Sequence, residues 1–154
     1  MVDTIEARLA AEGIVLPAAA PPAANYVPFM RSGNLLFTSG QLPIADGKLV
    51  ATGLLGRDLD TATGQDAARA CAINILAQVK AAAGDLERIA RIVKITVFVA
   101  STPDFSEQHL VANGASDLLA AVLGERGRHA RAAVGTASLP LNAPVEVEAI
   151  VELA

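Results

Sequence analysis

The stretch from Arg131 to Leu153, RAAVGTASLPLNAPVEVEAIVEL, constrains the fold more tightly than any other. After the Pro/Asn-rich segment, Val145, Val147, Val151 and Leu153 share one parity, and Glu146, Glu148, Ile150 and Glu152 share the other. Alternation this strict is the pattern of a strand with one face on a core. Arg131 to Ser138 reads as a second strand. With the turn centred near Leu141–Asn142, antiparallel pairing of the two sets Arg131 opposite Glu152 and Ala137 opposite Glu146. One face of that hairpin then carries Arg131, Ala133, Gly135 and Ala137 beside the glutamates, charged groups around a floor of very small side chains. A one-residue slip would break the arrangement.

Upstream, Thr4 to Glu12 has the spacing of a short helix closed by Gly13, and PAAAPPAA (Pro17 to Ala24) reads as an extended arm or linker. Asn25 to Gln41 predicts two strands around Ser32-Gly33-Asn34, and a turn at Ala45-Asp46-Gly47 precedes a short strand near Lys48 to Ala51. A long helix is predicted over Thr61 to Ala83, capped by Asp60 or Thr61 and ended by Gly84, with Cys71 in its apolar stripe. Ile89 to Ala100 is the strongest strand, with Val93, Ile95, Val97 and Val99 on one face. A second helix is predicted from Pro103 to Leu123, with Pro103 at its first position and Gly114 weakening its middle. The order β-β-β-α-β-α-β-β predicts an α+β fold, a mostly antiparallel or mixed sheet with both helices on one face. The opposite face then needs a cover, and a partner subunit is the natural one.

The chain of 154 residues is read as a single domain, 1–154, with 1–24 as an N-terminal helix and arm. It is 53% hydrophobic but 3% aromatic, so the core must be built from Ala, Val, Leu and Ile. With only 18% charged residues, it carries more apolar surface than a monomer needs, and a homo-oligomer is expected. The net charge of −4 argues against nucleic acid as a partner, and the cluster of Arg126, Arg128 and Arg131 has no aromatic residues around it for stacking. A lone cysteine excludes an internal disulfide, and no ligand-spaced Cys/His set points to a metal. The absence of an apolar run of about 18 residues argues against a membrane span. The start of the chain, with Asp3 and Glu6, does not resemble a secretory signal, so a cytoplasmic protein is expected.

These stretches also resemble a known family. Arg131, Leu139-Pro140 and the run Val145 to Ala149 match the C-terminal signature of the Rid/YjgF family, the reactive-intermediate deaminases once described as endoribonucleases. SGNLLFTSGQLP (Ser32 to Pro43) and IVKITVFVASTPDF (Ile92 to Phe105) match further motifs in the same order. The N-terminal helix and arm are additional to the shorter archetype and resemble a longer branch of the family. The resemblance implies a chorismate-mutase-like α+β fold, a homotrimer with ligand sites between subunits, no cofactor, and deamination of small 2-imino or enamino acids. It assigns the carboxylate grip to Arg131 and water or proton handling to Glu146, with Tyr26, Ser39 and Asn113 as further substrate-binding positions. Ala133 stands where the best-studied deaminases carry a cysteine, which implies a roomier pocket.

Residue chemistry leaves alternatives beside each assignment. Arg131 can bind both oxygens of a carboxylate or simply pair with Glu152 across the hairpin. Glu146 can deprotonate water if burial raises its pKa, or be one more solvated strand glutamate. In the hairpin register Arg131 and Glu146 stand roughly 20 Å apart at strand rise. A site using both must bend the hairpin or draw them from different subunits. Tyr26 can fill core, and Ser39 and Gln41 can satisfy turn backbone. No histidine is expected beside a serine, since His109 falls on a helix and His129 in a charged loop, which sets a serine hydrolase aside. Two readings of different class remain: an imine deaminase, and a trimeric module that binds a small carboxylate and regulates a partner without chemistry. A ribonuclease reading ranks third, for want of a basic groove.

Overall fold

A computed structural model describes residues 3–22 and 24–154. α1 (Ile5–Ala11) starts at Thr4, whose hydroxyl accepts from Ala7 N at 3.0 Å, and it buries Ile5 and Leu9. The arm that follows has no regular secondary structure, and Gln78 Nε2 donates to Ala20 O at 2.9 Å, so it is fastened to the body there; Ala23, within it, lies outside the described residues. β1 (Phe29–Ser32) and β2 (Leu35–Thr38) form the expected hairpin around Gly33-Asn34. β3 (Ile44–Ala45) and β4 (Lys48–Leu49) make a separate ribbon whose turn residues, Asp46 and Gly47, both take positive φ, the pattern of a two-residue hairpin turn.

α2 (Thr61–Ala83) has the predicted limits. Asp60 accepts from Thr63 N at 2.8 Å, and Gly84 is left-handed at φ 82°. β5 (Ile89–Ala100) leads through an irregular segment into α3 (Gln108–Leu123), followed by β6 (Ala130–Thr136) and β7 (Val145–Leu153). The main sheet runs β1-β2-β7-β5-β6, antiparallel except for the β5–β6 pair. α2 and α3 cover one face, where Ile95, Val97, Val99, Val145, Val147 and Val151 are fully buried. This is the α+β architecture predicted, of chorismate-mutase-like type, except that four strands, not three, precede α2, because the turn at Asp46-Gly47 pairs Ile44–Ala45 with Lys48–Leu49.

Three further expectations are corrected. β6 and β7 are not a hairpin, because β5 lies between them; Arg131 is level with Ile95 of β5, and Glu152 pairs with Leu35 and Arg91. The physical reason is that β5 buries six of its residues and needs a neighbour on each side. The connection 137–144, with a 3-10 turn at Pro140–Asn142, is long enough to step across one strand, about 10 Å. Pro103 does not start α3, which begins at Gln108 after an open segment. Val93 leaves the core face, because irregular pairing around Ile92–Lys94 shifts the parity and buries Ile92 in its place.

The other face of the sheet is open. Met30, Phe37 and Val134 stand on it, 40–60% exposed, around a polar middle of Lys94, Thr96 and Glu148.

Candidate functional site

The six residues singled out from sequence fall into two groups on different parts of the sheet. Arg131, Ala133 and Asn113 make the first. β6 runs level with β5, so Arg131 and Ala133 share the helix-covered face with Ile95 and Val97. There Arg131 meets α3. Its Nη1 donates to Asn113 Oδ1 at 2.9 Å and to Ser116 Oγ at 3.1 Å, and its Nη2 donates to the His109 carbonyl at 3.1 Å. All three acceptors are neutral, and among the described residues no carboxylate lies within ion-pair distance of Arg131. The alternative partner, Glu152, is taken by Arg91 at 3.4 Å.

Sequence reasoning, which sets His129 near Arg131 as a structural or pocket-rim residue, missed Ser116 and the contact between them. Ser116 Oγ lies 2.8 Å from His129 Nε2, and His129 Nδ1 lies 2.6 Å from the Gly127 carbonyl. A histidine does stand beside a serine here, contrary to expectation. Two signals were available: Ser116 lies three residues after Asn113, on the same side of a helix, and His129 lies two residues before Arg131. The pair lacks the third member of a nucleophilic triad, since Nδ1 faces a backbone carbonyl where a carboxylate would orient the ring.

Tyr26, Ser39 and Glu146 belong to the second group, across the sheet. Tyr26 and Ser39 line a cavity of about 80 Å³, together with Gly40, Gln41, Asn74 and the arm residues Ala20 to Pro22. Ser39 is held by two backbone contacts, its Oγ donating to Val27 O at 2.6 Å and its N to Pro28 O at 2.8 Å. Asn74 donates to the Leu42 and Ile44 carbonyls at 2.9 and 3.0 Å, which fixes the cavity floor. Glu146 packs against Gly40 so closely that a Cβ at position 40 would collide with its Oε1. Only glycine leaves that carboxyl its place. Burial, and secondarily the neighbouring Glu148, raises the Glu146 pKa above the ordinary carboxylate range.

Arg131 and Glu146 do not meet within one chain. Glu146 is level with Phe98 of β5, three residues on from the row of Arg131, on the opposite side of β5 and on the open face. Strand rise and spacing put their backbones roughly 14 Å apart. The two groups thus hold a guanidinium oriented by neutral oxygens at one place and a carboxyl of raised pKa at another.

Known proteins share this architecture throughout. The family described as "YjgF/chorismate_mutase-like, putative endoribonuclease" matches residues 6–153. Protein TCP17 of Trypanosoma cruzi is 56% identical over 150 residues, 97% of this chain and 94% of TCP17. The crystal structure of Atu1372, a protein of unknown function from Agrobacterium tumefaciens, superposes with a TM-score of 0.92 at 64% identity, covering 97% of this chain and 92% of Atu1372. TdcF of E. coli, solved with bound serine, gives a TM-score of 0.64 at 29% identity over 88% of this chain and 94% of its own. The match spans both groups of residues and the sheet between them, and the chain belongs to the Rid/YjgF family.

Proposed function

We propose that the protein hydrolyses 2-imino acids, or their enamine tautomers, to 2-keto acids and ammonia without a cofactor, at sites shared between copies of a homotrimer. The observation that carries this reading is the state of Arg131. Its guanidinium is oriented by three neutral oxygens and has no carboxylate of its own chain within ion-pair distance among the described residues. Such a group is ready for a ligand carboxylate. Bound serine in TdcF, an amino acid, is consistent with a small carboxylate ligand in the family.

In this mechanism Arg131 grips the substrate carboxylate, which sets the adjacent C=N carbon. Starting from the protonated iminium, Glu146 accepts a proton from a water as its oxygen bonds to that carbon, giving a neutral carbinolamine. The protonated Glu146 then returns a proton to the amine nitrogen, the C–N bond breaks and ammonia leaves, and the remaining hydroxyl proton is lost as the ketone forms. A carboxyl whose pKa is raised toward neutrality serves both steps better than an ordinary one. Tyr26 and Ser39 bound the substrate beside it, and Ala133 leaves room next to Arg131.

Because Arg131 and Glu146 sit on opposite faces of one sheet, a second copy must bring them together. The exposed Met30, Phe37 and Val134 of the open face support such an assembly, since packing copies there buries them. Carboxylate binding without chemistry is the second reading, and bound serine in TdcF fits it equally. The test follows 2-iminopropanoate, generated by an amino-acid oxidase and trapped with semicarbazide. Wild type is expected to divert the imine to pyruvate, and Arg131→Ala is not. If neither acts while wild type alone binds pyruvate, the binding module is the function.

A further inference from the structure

We propose that Ser116 and His129 are positioning residues for Arg131, forming with the Gly127 carbonyl a directional chain of hydrogen bonds that sets which guanidinium N–H groups are free for a ligand. The inference rests on the carboxylate-binding reading of Arg131 and extends it to residues that reading does not use.

The direction of each bond follows from donor and acceptor chemistry. The Gly127 carbonyl can only accept, so His129 Nδ1, 2.6 Å away, carries the proton. In a neutral ring Nε2 is then the acceptor, and the Ser116 hydroxyl, 2.8 Å away, donates to it. With its proton committed to the imidazole, Ser116 Oγ turns its lone pairs to Arg131 Nη1 at 3.1 Å. Asn113 Oδ1 takes the second Nη1 proton, and the His109 carbonyl takes one from Nη2. Of the five N–H donors on a guanidinium, this leaves Nε–H and one on Nη2, two donors, the number a bidentate carboxylate accepts.

The chain also links three separate elements. Ser116 and Asn113 come from α3, Gly127 and His129 from the turn that follows it, and Arg131 from β6. A hydroxyl without a fixed proton could donate to another acceptor and leave Arg131 free to swing. His129 removes that freedom. Gly127 is tightly packed, since a Cβ there would collide with the Leu119 carbonyl, so the carbonyl that anchors the chain stands on a rigid turn.

The experiment measures pyruvate binding by wild type, Ser116→Ala, His129→Ala, Ser116→Thr and Arg131→Ala, and records the Arg131 Nη resonances in ¹⁵N-edited NMR, assigned by their absence in Arg131→Ala. Loss of a hydrogen bond to a charged group predicts a Kd about tenfold higher in Ser116→Ala. His129→Ala is expected to weaken binding in the same direction, and Ser116→Thr, which keeps the hydroxyl, to restore most of the affinity. Separate Nη signals, slowed in rotation by the three acceptors, are expected in wild type and merged in Ser116→Ala. Unchanged Nη signals in Ser116→Ala, or pyruvate bound as tightly as by wild type, overturn the positioning role while leaving Arg131 as the ligand if Arg131→Ala fails to bind. Wild-type affinity in Arg131→Ala overturns the carboxylate reading itself, and the positioning role with it.

Discussion

Gly114→Ala tests how the helix pair holds the arginine. On sequence alone the substitution should help, because alanine in a helix interior is favoured over glycine by about 1 kcal/mol. The structure reverses the sign. A Cβ at position 114 would collide with the Gln65 carbonyl oxygen and come within 2.7 Å of Gln65 C and 2.9 Å of Gln65 Cα. These are backbone atoms of α2 and cannot rotate aside, so α3 must retreat by roughly 1.5 Å to reach ordinary contact near 3.5 Å. Overpacking of this kind costs about 1–3 kcal/mol, and the upper end suits a backbone collision. Less the gain in propensity, the net loss is about 2 kcal/mol, or a Tm lower by roughly 4–8 °C for a chain of this size. The two neighbours Asn113 and Ser116 move with the helix, which breaks bonds of 2.9 and 3.1 Å to Arg131. Thermal unfolding and pyruvate affinity should therefore fall together. A Tm that rises by the amount propensity predicts would refute the reasoning.

Glu146→Gln should stabilise the protein at neutral pH. Burial and then Glu148 raise this carboxyl's folded pKa, so the folded chain holds the proton more firmly than the unfolded one. Its contribution to stability therefore falls as pH climbs from the ordinary carboxylate range through the folded pKa, and the loss persists above it. The variant's Tm should exceed wild type at pH 7 and converge with it below about pH 4, where both states are protonated; a lower Tm for the variant at pH 7 would contradict this. Burial, with a smaller effect from Glu146, pushes the Cys71 thiol well up, and the side chain is fully enclosed. Ellman's reagent at pH 8 should leave the folded protein unlabelled and react fully in denaturant; rapid labelling of the folded state would show that α2 opens.

Much of this was legible in the residues. α2 was, because Asp60 and Gly84 mark its two ends by local rules that need no tertiary partner. The alternating parity of β7 was, because burial on one face imposes it. Strand neighbours were not: alternation says which way a side chain points, never which strand lies alongside, and β5 inserts between β6 and β7 without a local trace. The separation of Arg131 from Glu146 was legible, but its form was not: a hairpin places them at opposite ends of one strand pair, and the structure places them on opposite sides of β5. Gly114 misled in the other direction, since a residue that weakens a helix by itself is what lets α2 and α3 touch. The Ser116–His129 bond joins positions on separate elements; their places in sequence beside Asn113 and Arg131 hinted at it, and the packing of α3 against β6 closes it.

The central claim is that one chain holds half of each site. Arg131→Ala and Glu146→Gln are each expected to abolish imine hydrolysis. Unfolded together in equal amounts and refolded as mixed oligomers, they should regain activity, because some sites then draw an intact Arg131 from one copy and an intact Glu146 from its neighbour. Random mixing makes that combination about one site in four in a cyclic homo-oligomer. Recovery near a quarter of wild-type turnover is the predicted result. Mixed oligomers as inactive as either parent would contradict a site shared between copies.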